Sequence, residues 1–399
     1  MRFVLLFLAI ISSCHWPWQC AGLSAPQLDL ICTISPLGAG HDDTDQVLSA
    51  IEKCGHGGHT ILRDGVYNIT RKMTWDLVDA KVDLHGFLSF VPDIEFWLNP
   101  SNTYRVVFIQ SSLVVVITGR DFEVDAHNTG GIQGNGKPWW DFFTTVPRAD
   151  GDGRPISLTL FRAVRGRHNP FWCNCIAESQ SCNASNTNAT FFGQKSDDIA
   201  LLNWDITCGD DCLAIKGVPF EWNSTNFWHE TITCRGGSGV AFGSLAQYVN
   251  LTDMVENVLM DTMTMTRINA SIQPNMGNGV YFKSWDGSVN GAPPTGRRRR
   301  GSGFVKNVTL RNVVLDRVDL PTTIEQTKDG HRHSIRKWTG TALTIYLAVF
   351  DMSQVVALVC SPAVNCTTIG FEGFDPCQNV VGLSGLSCTL WVVGLGPKL

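Results

Sequence analysis

From residue 105 onward, the chain consists largely of short runs rich in Val, Ile, Leu and Thr, which are separated by Gly, Asn and Asp. Runs of this composition are typical of β-strands, and the residues between them are typical of turns. A phrase of the form Asn-x-x-Leu/Ile-x-Asn/Asp also recurs, for example within Val305–Leu315. Because the runs recur at roughly 22–30 residues, they indicate a fold of stacked, repeating coils.

The connections between the runs show no long helical pattern of the kind that often joins parallel strands. The crossovers must therefore be short strands and turns, which predicts an all-β solenoid in a single domain over residues 22–399. A β-sandwich is the rival fold, but the tight Asn-Gly and Asp-Gly hairpins that it favours are scarce. One amphipathic stretch, Asp43–Lys53, predicts a short helix with Asp43 or Thr44 as its cap, which would cover the N-terminal end of the stack.

Composition argues against several classes of protein. Apolar residues make up 44% of the 399 residues and the mean hydropathy is +0.02, which argues against a disordered chain. The 31 basic and 36 acidic residues give a net charge of −5, so nothing indicates a nucleic-acid partner. After the N-terminal segment, no apolar run is long enough to span a membrane. We expect neither nucleic acid nor membrane as a partner, and a monomeric protein.

The N-terminus predicts the compartment. Arg2 precedes the apolar run Phe3–Ile11, and small residues follow, which predicts a secretory signal peptide over residues 1–21 and a secreted, extracellular protein. Its removal takes two of the 14 cysteines, Cys14 and Cys20, and leaves an even number that suits disulfides in an oxidising compartment. Sequons for N-glycosylation agree with secretion. They lie at Asn68, Asn183, Asn188, Asn223, Asn250, Asn269, Asn307 and Asn365.

The residues most indicative of chemistry are Asp210 and Asp211, which follow Gly209. On an extended strand the two side chains would face opposite ways, but a bend at Gly209 would bring both carboxyl groups into one groove. Adjacent carboxyl groups repel when both are charged, which favours one acid beside one base. Hydrolysis of a glycosidic bond requires such a pair. A surface turn or a calcium site is the alternative interpretation of an isolated Asp-Asp pair.

Several longer motifs accompany this pair. They are Gly38–Thr44, Gly131–Trp140, Gly209–Cys212, Cys234–Leu245 and Gly279–Trp285. Together they resemble glycoside hydrolase family 28, the polygalacturonases, exo-polygalacturonases and rhamnogalacturonan hydrolases that cut pectin, and the likeness is greatest to secreted fungal members that are exo-acting or directed at rhamnogalacturonan. The resemblance implies a right-handed, single-stranded parallel β-helix. It also implies inverting hydrolysis of galacturonosidic linkages in polygalacturonan or rhamnogalacturonan, with pectic polysaccharide as the partner and no cofactor.

The resemblance assigns roles to residues. Asp210 matches the general acid of the family, Asp211 matches a carboxylate that activates water, and Lys283 matches the cation that binds the galacturonate carboxylate. The other positions expected to bind substrate are Tyr281, Ser238 and Gly237.

Three positions depart from the family pattern. Asn188 lies where the family has its first aspartate, either as a replacement or because the segment around 183–200 that carries the aspartate is absent. Ser238 stands at the place of a histidine and Tyr281 at that of an arginine. An amide cannot act as a base, so a catalytically impaired relative that still binds pectin is the second hypothesis. A calcium-dependent pectate lyase, which shares the β-helix but cleaves by β-elimination, is the third.

Cysteine spacing suggests four disulfides. Cys32 and Cys54 flank the predicted helix, and Cys212 and Cys234 bracket one coil beside the acid pair. Two further pairs would clip the C-terminus, while Cys173, Cys175, Cys182 and Cys208 stay unassigned. Those further pairs are Cys360 with Cys366 and Cys377 with Cys388.

Other polar residues show no clear pattern. His229, His331 and His333 lack the spacing of metal ligands, so we expect them at the surface and expect no metal site. The basic run Arg297–Arg300 would either contact an anionic polysaccharide or lie in a solvated loop or processing site.

Overall fold

A computed structural model describes most of the chain from residue 30 onward. The described ranges are 30–107, 111–136, 155–168, 171–174, 190–193, 197–215, 223–245, 252–270, 273–284, 302–325, 341–350, 356–359, 369–374 and 388–392, with residues 138, 141, 142 and 145. In these ranges, 24 strands form one continuous sheet. Each strand pairs in parallel with the next coil, except that β7–β8 and β23–β24, defined below, are antiparallel.

The strands of the first half are β1 (Leu30–Ile34), β2 (Gly58–Leu62), β3 (Val66–Ile69), β4 (Met73–Val78), β5 (Lys81–Leu84), β6 (Phe87–Phe90), β7 (Tyr104–Val107), β8 (Ser111–Asp125), β9 (Gly131–Gln133), β10 (Pro155–His168), β11 (Phe171–Asn174) and β12 (Thr190–Gly193). Those of the second half are β13 (Asp197–Thr207), β14 (Leu213–Ile215), β15 (Asn223–Arg235), β16 (Val240–Leu245), β17 (Thr252–Thr266), β18 (Asn278–Ser284), β19 (Ser302–Asp316), β20 (Leu320–Glu325), β21 (Thr341–Phe350), β22 (Val356–Val359), β23 (Ile369–Phe374) and β24 (Cys388–Val392). The described helices are α1 (Thr44–Cys54), α2 (Ile94–Leu98) and a 3-10 turn (Pro100–Asn102).

The recurring Asn phrase marks the corners of the coils. In β19, Asn307 and Asn312 have φ values of 53° and 54°, and in β17 Asn257 and Thr262 have 56° and 54°. Asn tolerates this left-handed conformation better than most residues, so each long strand turns twice without leaving the sheet. Successive corners stack, and the Asn307 amide donates to Asn257 Oδ1 at 2.7 Å. The phrase therefore encodes a coil with two corners five residues apart.

Between corners, alternate side chains point into the core. In β17, Val258, Met260, Met263 and Met265 are buried, and each lies beside an apolar residue of β19 in the parallel register. Stacked apolar columns of this kind form one core along the axis of the coils.

The prediction of a surface position for His229 is wrong. The residue pairs with Leu201 on one side and Met260 on the other, so it occupies an inward-facing column and is fully buried. Burial disfavours the charged imidazolium and lowers the pKa of His229 to about 3. The neutral ring of His229 thus lies in a stack of apolar side chains, between Leu201 and Met260. His331, His333 and the run Arg297–Arg300 lie outside the described residues.

Helix α1 covers the N-terminal coils, as the amphipathic pattern predicts. It buries Val47 and Ile51 against the core, and the Cys32–Cys54 disulfide ties its end to β1. Asp43 stands at the cap position, but its carboxylate instead accepts the N–H groups of two residues outside the helix, those of Leu37 and Asn68, each at 2.8 Å. Among the described residues, no helix is long and apolar enough to cross a membrane.

The predicted sequons fall in different environments. Asn269 and Asn307 are exposed, whereas Asn68 is half-buried and its amide donates to the Gly40 carbonyl at 3.0 Å. Asn183, Asn188, Asn250 and Asn365 lie outside the described residues, as does the side chain of Asn223. The same holds for Cys360, Cys366 and Cys377 and for the side chain of Cys388, so those two disulfides stay predictions.

Candidate active site

The acid pair lies in a turn between β13 and β14 that is fastened to the next coil. The Asp210 carbonyl accepts hydrogen bonds from the Ser238 N–H at 2.7 Å and from the Cys208 thiol at 3.2 Å. The Cys212–Cys234 disulfide, with Cα atoms 5.9 Å apart, links the same two coils. Backbone bonds and a covalent bridge therefore hold the acid turn in place.

Gly237 makes this close approach possible. Its φ is +83°, and a Cβ atom there would lie 2.3 Å from the Asp210 carbonyl oxygen and 3.0 Å from Cys208 Sγ. Its N–H donates to the Asn275 carbonyl and its carbonyl accepts the Gly277 N–H, both at 2.9 Å. Both backbone groups of Gly237 are therefore hydrogen-bonded within the protein. The structure gives Gly237 a packing role, in addition to the substrate contact predicted for it.

The second carboxyl group meets two residues from β18. The Tyr281 hydroxyl donates to Asp211 Oδ1, and Lys283 Nζ donates to Asp211 Oδ2 at 3.3 Å and to the Tyr281 oxygen at 2.8 Å. The Asp211 side chain is only 4% exposed. Burial, followed by the charges of Asp211 and Asp210, raises the pKa of Tyr281, so the phenol stays protonated and acts as a donor. We call Asp211, Tyr281 and Lys283 the Asp–Tyr–Lys cluster.

The register explains how a residue of β18 reaches the acid turn two coils away. Tyr281 stands in one column with Ala241 of β16 and Ala214 of β14. Both alanines are fully buried, and their short side chains leave space for the ring to extend along the coils towards Asp211. Asp210, by contrast, is half-buried and is the more accessible carboxyl group of the pair.

A supporting loop holds this arrangement from the next coil. The buried Gln273 donates from Nε2 to the Cys208 carbonyl at 3.3 Å and accepts the Asn275 N–H at 2.8 Å. Arg267 clamps the loop through the Pro274 carbonyl and an ion pair of 2.6 Å with Asp319. Sequence reasoning missed these residues. The available signal was a Gln and an Arg placed between two motif segments, which spacing alone does not connect to the acid turn.

An ion pair was also missed at the end of the strands that precede the site. Arg235 donates from Nε and Nη2 to the two carboxylate oxygens of Asp205, each at 2.8 Å. This two-point contact raises the pKa of Arg235 and links neighbouring coils one residue after Cys234. The cation is thus engaged by Asp205 within the protein.

The structure therefore brings all six predicted catalytic and substrate-binding residues together around one turn, with Ser238 contributing its backbone N–H and Gly237 its close packing. The six are Asp210, Asp211, Gly237, Ser238, Tyr281 and Lys283. Asn188 lies outside the described residues, so the replaced aspartate stays a prediction.

The chain is a stack of parallel β-coils that carries two adjacent carboxyl groups and a lysine at one turn. The sequence model of Glycosyl hydrolases family 28 matches residues 171–381. An Aspergillus niger relative that carries the name galacturan 1,4-alpha-galacturonidase A is 35% identical over 392 residues, which cover 86% of each chain. An Aspergillus niger alpha-L-rhamnosidase is 27% identical over 410 residues, 90% of each chain. The chain belongs to glycosyl hydrolases family 28.

A solved structure confirms the fold. The endo-xylogalacturonan hydrolase from Aspergillus tubingensis superposes with a TM-score of 0.58 at 20% identity, and covers 92% of this chain and 100% of its own. The predicted right-handed parallel β-helix and the predicted family are both confirmed.

Proposed function

We propose that the protein is a secreted, exo-acting hydrolase that removes galacturonate from the ends of pectic polysaccharide by inversion. The Asp–Tyr–Lys cluster beside Asp210 is the observation that carries this proposal. Asp210 is the more accessible carboxyl group and is suited to protonate the leaving sugar oxygen, as a general acid must. Asp211 lies next to it and is the candidate for activating water on the other side of the bond.

Lys283 supports an anionic sugar as the substrate. An ammonium group has three donors, and two of them bond Asp211 and Tyr281. The third is available to the carboxylate of a galacturonate ring, which gives a charge-assisted hydrogen bond that a neutral sugar cannot form. The relatives carry names for both galacturonate and rhamnose release. The cation at position 283 favours galacturonate as the residue that binds there.

One observation favours a second candidate, a relative that binds pectin with impaired catalysis. Each carboxylate oxygen of Asp211 already accepts a hydrogen bond and the side chain is only 4% exposed, so little of this group is open to an attacking water. The proposed replacement of the family aspartate by Asn188 would remove a second carboxylate that could act instead. Membership of a hydrolase family favours hydrolysis over the β-elimination of a pectate lyase.

Product analysis distinguishes these functions. The protein is incubated with polygalacturonate and with rhamnogalacturonan, and the released sugars are separated by chromatography from the first minutes onward. We expect galacturonate monomer from the start, with little loss of viscosity. Early oligomers would contradict exo action, while binding without release would favour the impaired relative. Unsaturated products that absorb in the ultraviolet, and whose formation stops when a chelator is added, would identify a lyase.

Lys283→Ala tests the substrate contact. Loss of the cation should raise the KM for galacturonate-ended chains about tenfold or more, because a charge-assisted bond contributes roughly 1.5–3 kcal/mol. The loss should shrink for substrates whose terminal carboxylate has been methyl-esterified. An equal change in KM for charged and esterified ends would contradict this assignment.

A further inference from the structure

A cluster of imidazole and carboxylate groups lies outside the candidate active site, on the N-terminal coils. One ligand atom each from Asp83, His85 and His127 lies within 4.8 Å of the others. Asp83 lies in β5 on the face opposite to the core residues Val82 and Leu84. His85 follows that strand, and His127 lies at the corner after β8. The parallel register pairs Asp83 with Asp125, so the cluster joins two neighbouring coils.

Hydrogen bonds hold Asp83 against His127 and His59, and ring stacking places His85 beside His127. His127 Nε2 lies 2.9 Å from Asp83 Oδ1, and His59 Nε2 lies 2.7 Å from Asp83 Oδ2. The rings of His85 and His127 stack with their centroids 4.4 Å apart and their planes 15° apart. Because the nitrogen lone pairs lie in the ring planes, one ring must rotate out of the stack before both can bind the same ion. The Asp83 side chain is only 11% exposed, so a charged carboxylate is held in place among these rings.

The charge of the cluster is negative when the imidazoles are neutral. Asp83 and Asp125 carry two negative charges, and Lys81, 3.2 Å from Asp83 Oδ1, carries one positive charge. A cation is therefore the ligand that would balance the site. Two imidazole nitrogens and a carboxylate oxygen are donors that suit Zn²⁺ and similar ions, whereas Ca²⁺ and Mg²⁺ prefer oxygen ligands alone.

We propose that Asp83, His85 and His127 bind a divalent transition-metal ion of the Zn²⁺ class. For His127 Nε2 to bind the ion, the single proton of the neutral ring must lie on Nδ1, which faces Asp125 Oδ2 at 3.7 Å. His59 remains bonded to the other carboxylate oxygen of Asp83 and orients it. This departs from the expectation of no metal site, which rested on the spacing of other histidines.

The site has a structural role in this proposal. The Asp83 coil is separated from the coil of Asp210 by three steps of parallel pairing, through the coils of Asp125 and Arg167, a rise of about 14 Å. The ion would join the coils of β5 and β8 and raise the temperature at which they unfold. It takes no part in hydrolysis.

Metal binding to the whole protein tests this directly. The chain is treated with chelator, dialysed, and titrated with Zn²⁺ by calorimetry, and Co²⁺ is added separately to record its visible absorption. His85→Phe is the informative variant, because a phenyl ring preserves the stacking on His127 and removes the ligand nitrogen. His56→Phe is the matched control, since His56 forms an exposed pair with Asp76 in the same part of the chain.

The expected result is the loss of one equivalent of bound Zn²⁺ in His85→Phe, with no loss in His56→Phe. Zn²⁺ should also raise the unfolding temperature of the wild-type protein but not that of His85→Phe. Lys81→Gln should bind Zn²⁺ more tightly, because it removes the competing cation and leaves the ligands intact. An unchanged stoichiometry in a folded His85→Phe, or the absence of Zn²⁺ binding in the wild type, would overturn the proposal.

Discussion

Replacing Gly237 by alanine should displace the acid turn. The new Cβ atom would lie 2.3 Å from the Asp210 carbonyl oxygen, and ordinary contact begins near 3.4 Å, so the backbone must separate by about 1 Å. The obstacle is a backbone atom, which cannot rotate away as a flexible side chain does. A positive φ costs alanine about 1–2 kcal/mol, and overpacking adds about 1–3 kcal/mol.

Gly57→Ala supplies the matched control. Gly57 has a φ of +69° with no atom within 4 Å of its Cβ position, so alanine there incurs the conformational cost without the clash. Both variants reduce the entropy of the unfolded chain alike, and the difference between them isolates the contact with Asp210.

Two measurements decide the outcome. In denaturant unfolding, Gly237→Ala should lose about 1–3 kcal/mol more stability than Gly57→Ala. In a hydrolysis assay its kcat should fall about 10²-fold, because a displacement of 1 Å at a catalytic group has an effect of that size. Equal stability of the two variants together with wild-type kcat in Gly237→Ala would refute the packing role of this glycine.

Further predictions concern the disulfides and the buried histidine. Both described disulfides close 22-residue separations, so Cys212→Ser/Cys234→Ser and Cys32→Ser/Cys54→Ser should each lose about 3 kcal/mol of stability. Only the Cys212/Cys234 variant should also lose kcat, and a comparable loss in the other would contradict the role of the bridge beside the acid turn. His229 has a pKa of about 3 when folded and about 6.5 when unfolded, so the unfolded chain binds the extra proton between these values. The free energy of unfolding should therefore fall by about 1.4 kcal/mol per pH unit as the pH drops below 6.5. His229→Leu should remove this contribution to the pH dependence of stability, measured by denaturant unfolding. Parallel plots of stability against pH for the two proteins would contradict the prediction.

The fold was predictable because its signal is local and repeated. The Asn phrase around Asn307 and Asn312 determines corner geometry within a few residues, and each coil repeats it. The helix Thr44–Cys54 and its cap residue Asp43 also follow from the local pattern, whereas the partners of the Asp43 carboxylate do not. Asp43 bonds the backbone at Leu37 and Asn68, a tertiary contact that no capping pattern contains.

Only those residues of the site that lie within the family motifs could be predicted from the sequence, and their contacts could not. The turn of Asp210 and Asp211 stands out in the sequence, but its contact with Tyr281 spans 70 residues and depends on the register of three strands. The supporting contact of Gln273 with Cys208 spans 65 residues and has no motif. A slip of one residue in the register would reverse the faces of these side chains, which is why spacing alone does not reveal them.

The contact between Asp83 and His127 and the burial of His229 illustrate the same limit. Asp83 and His127 are 44 residues apart and meet because β5 and β8 are neighbours in the coil stack. Histidine is a polar residue type that lies at the surface more often than aliphatic residues do. The strand register nevertheless places His229 in an inward-facing column, and the register determines where it lies.

The most direct test of the central claim is the activity of Asp210→Asn on polygalacturonate, measured as galacturonate released per minute. Asp45→Asn, at an exposed residue of α1, removes the same charge and serves as the control. If Asp210 protonates the leaving sugar, Asp210→Asn should lower kcat at least 10²-fold, while Asp45→Asn should match the wild type. Wild-type kcat in a folded Asp210→Asn protein would contradict the assignment of this turn as the catalytic site.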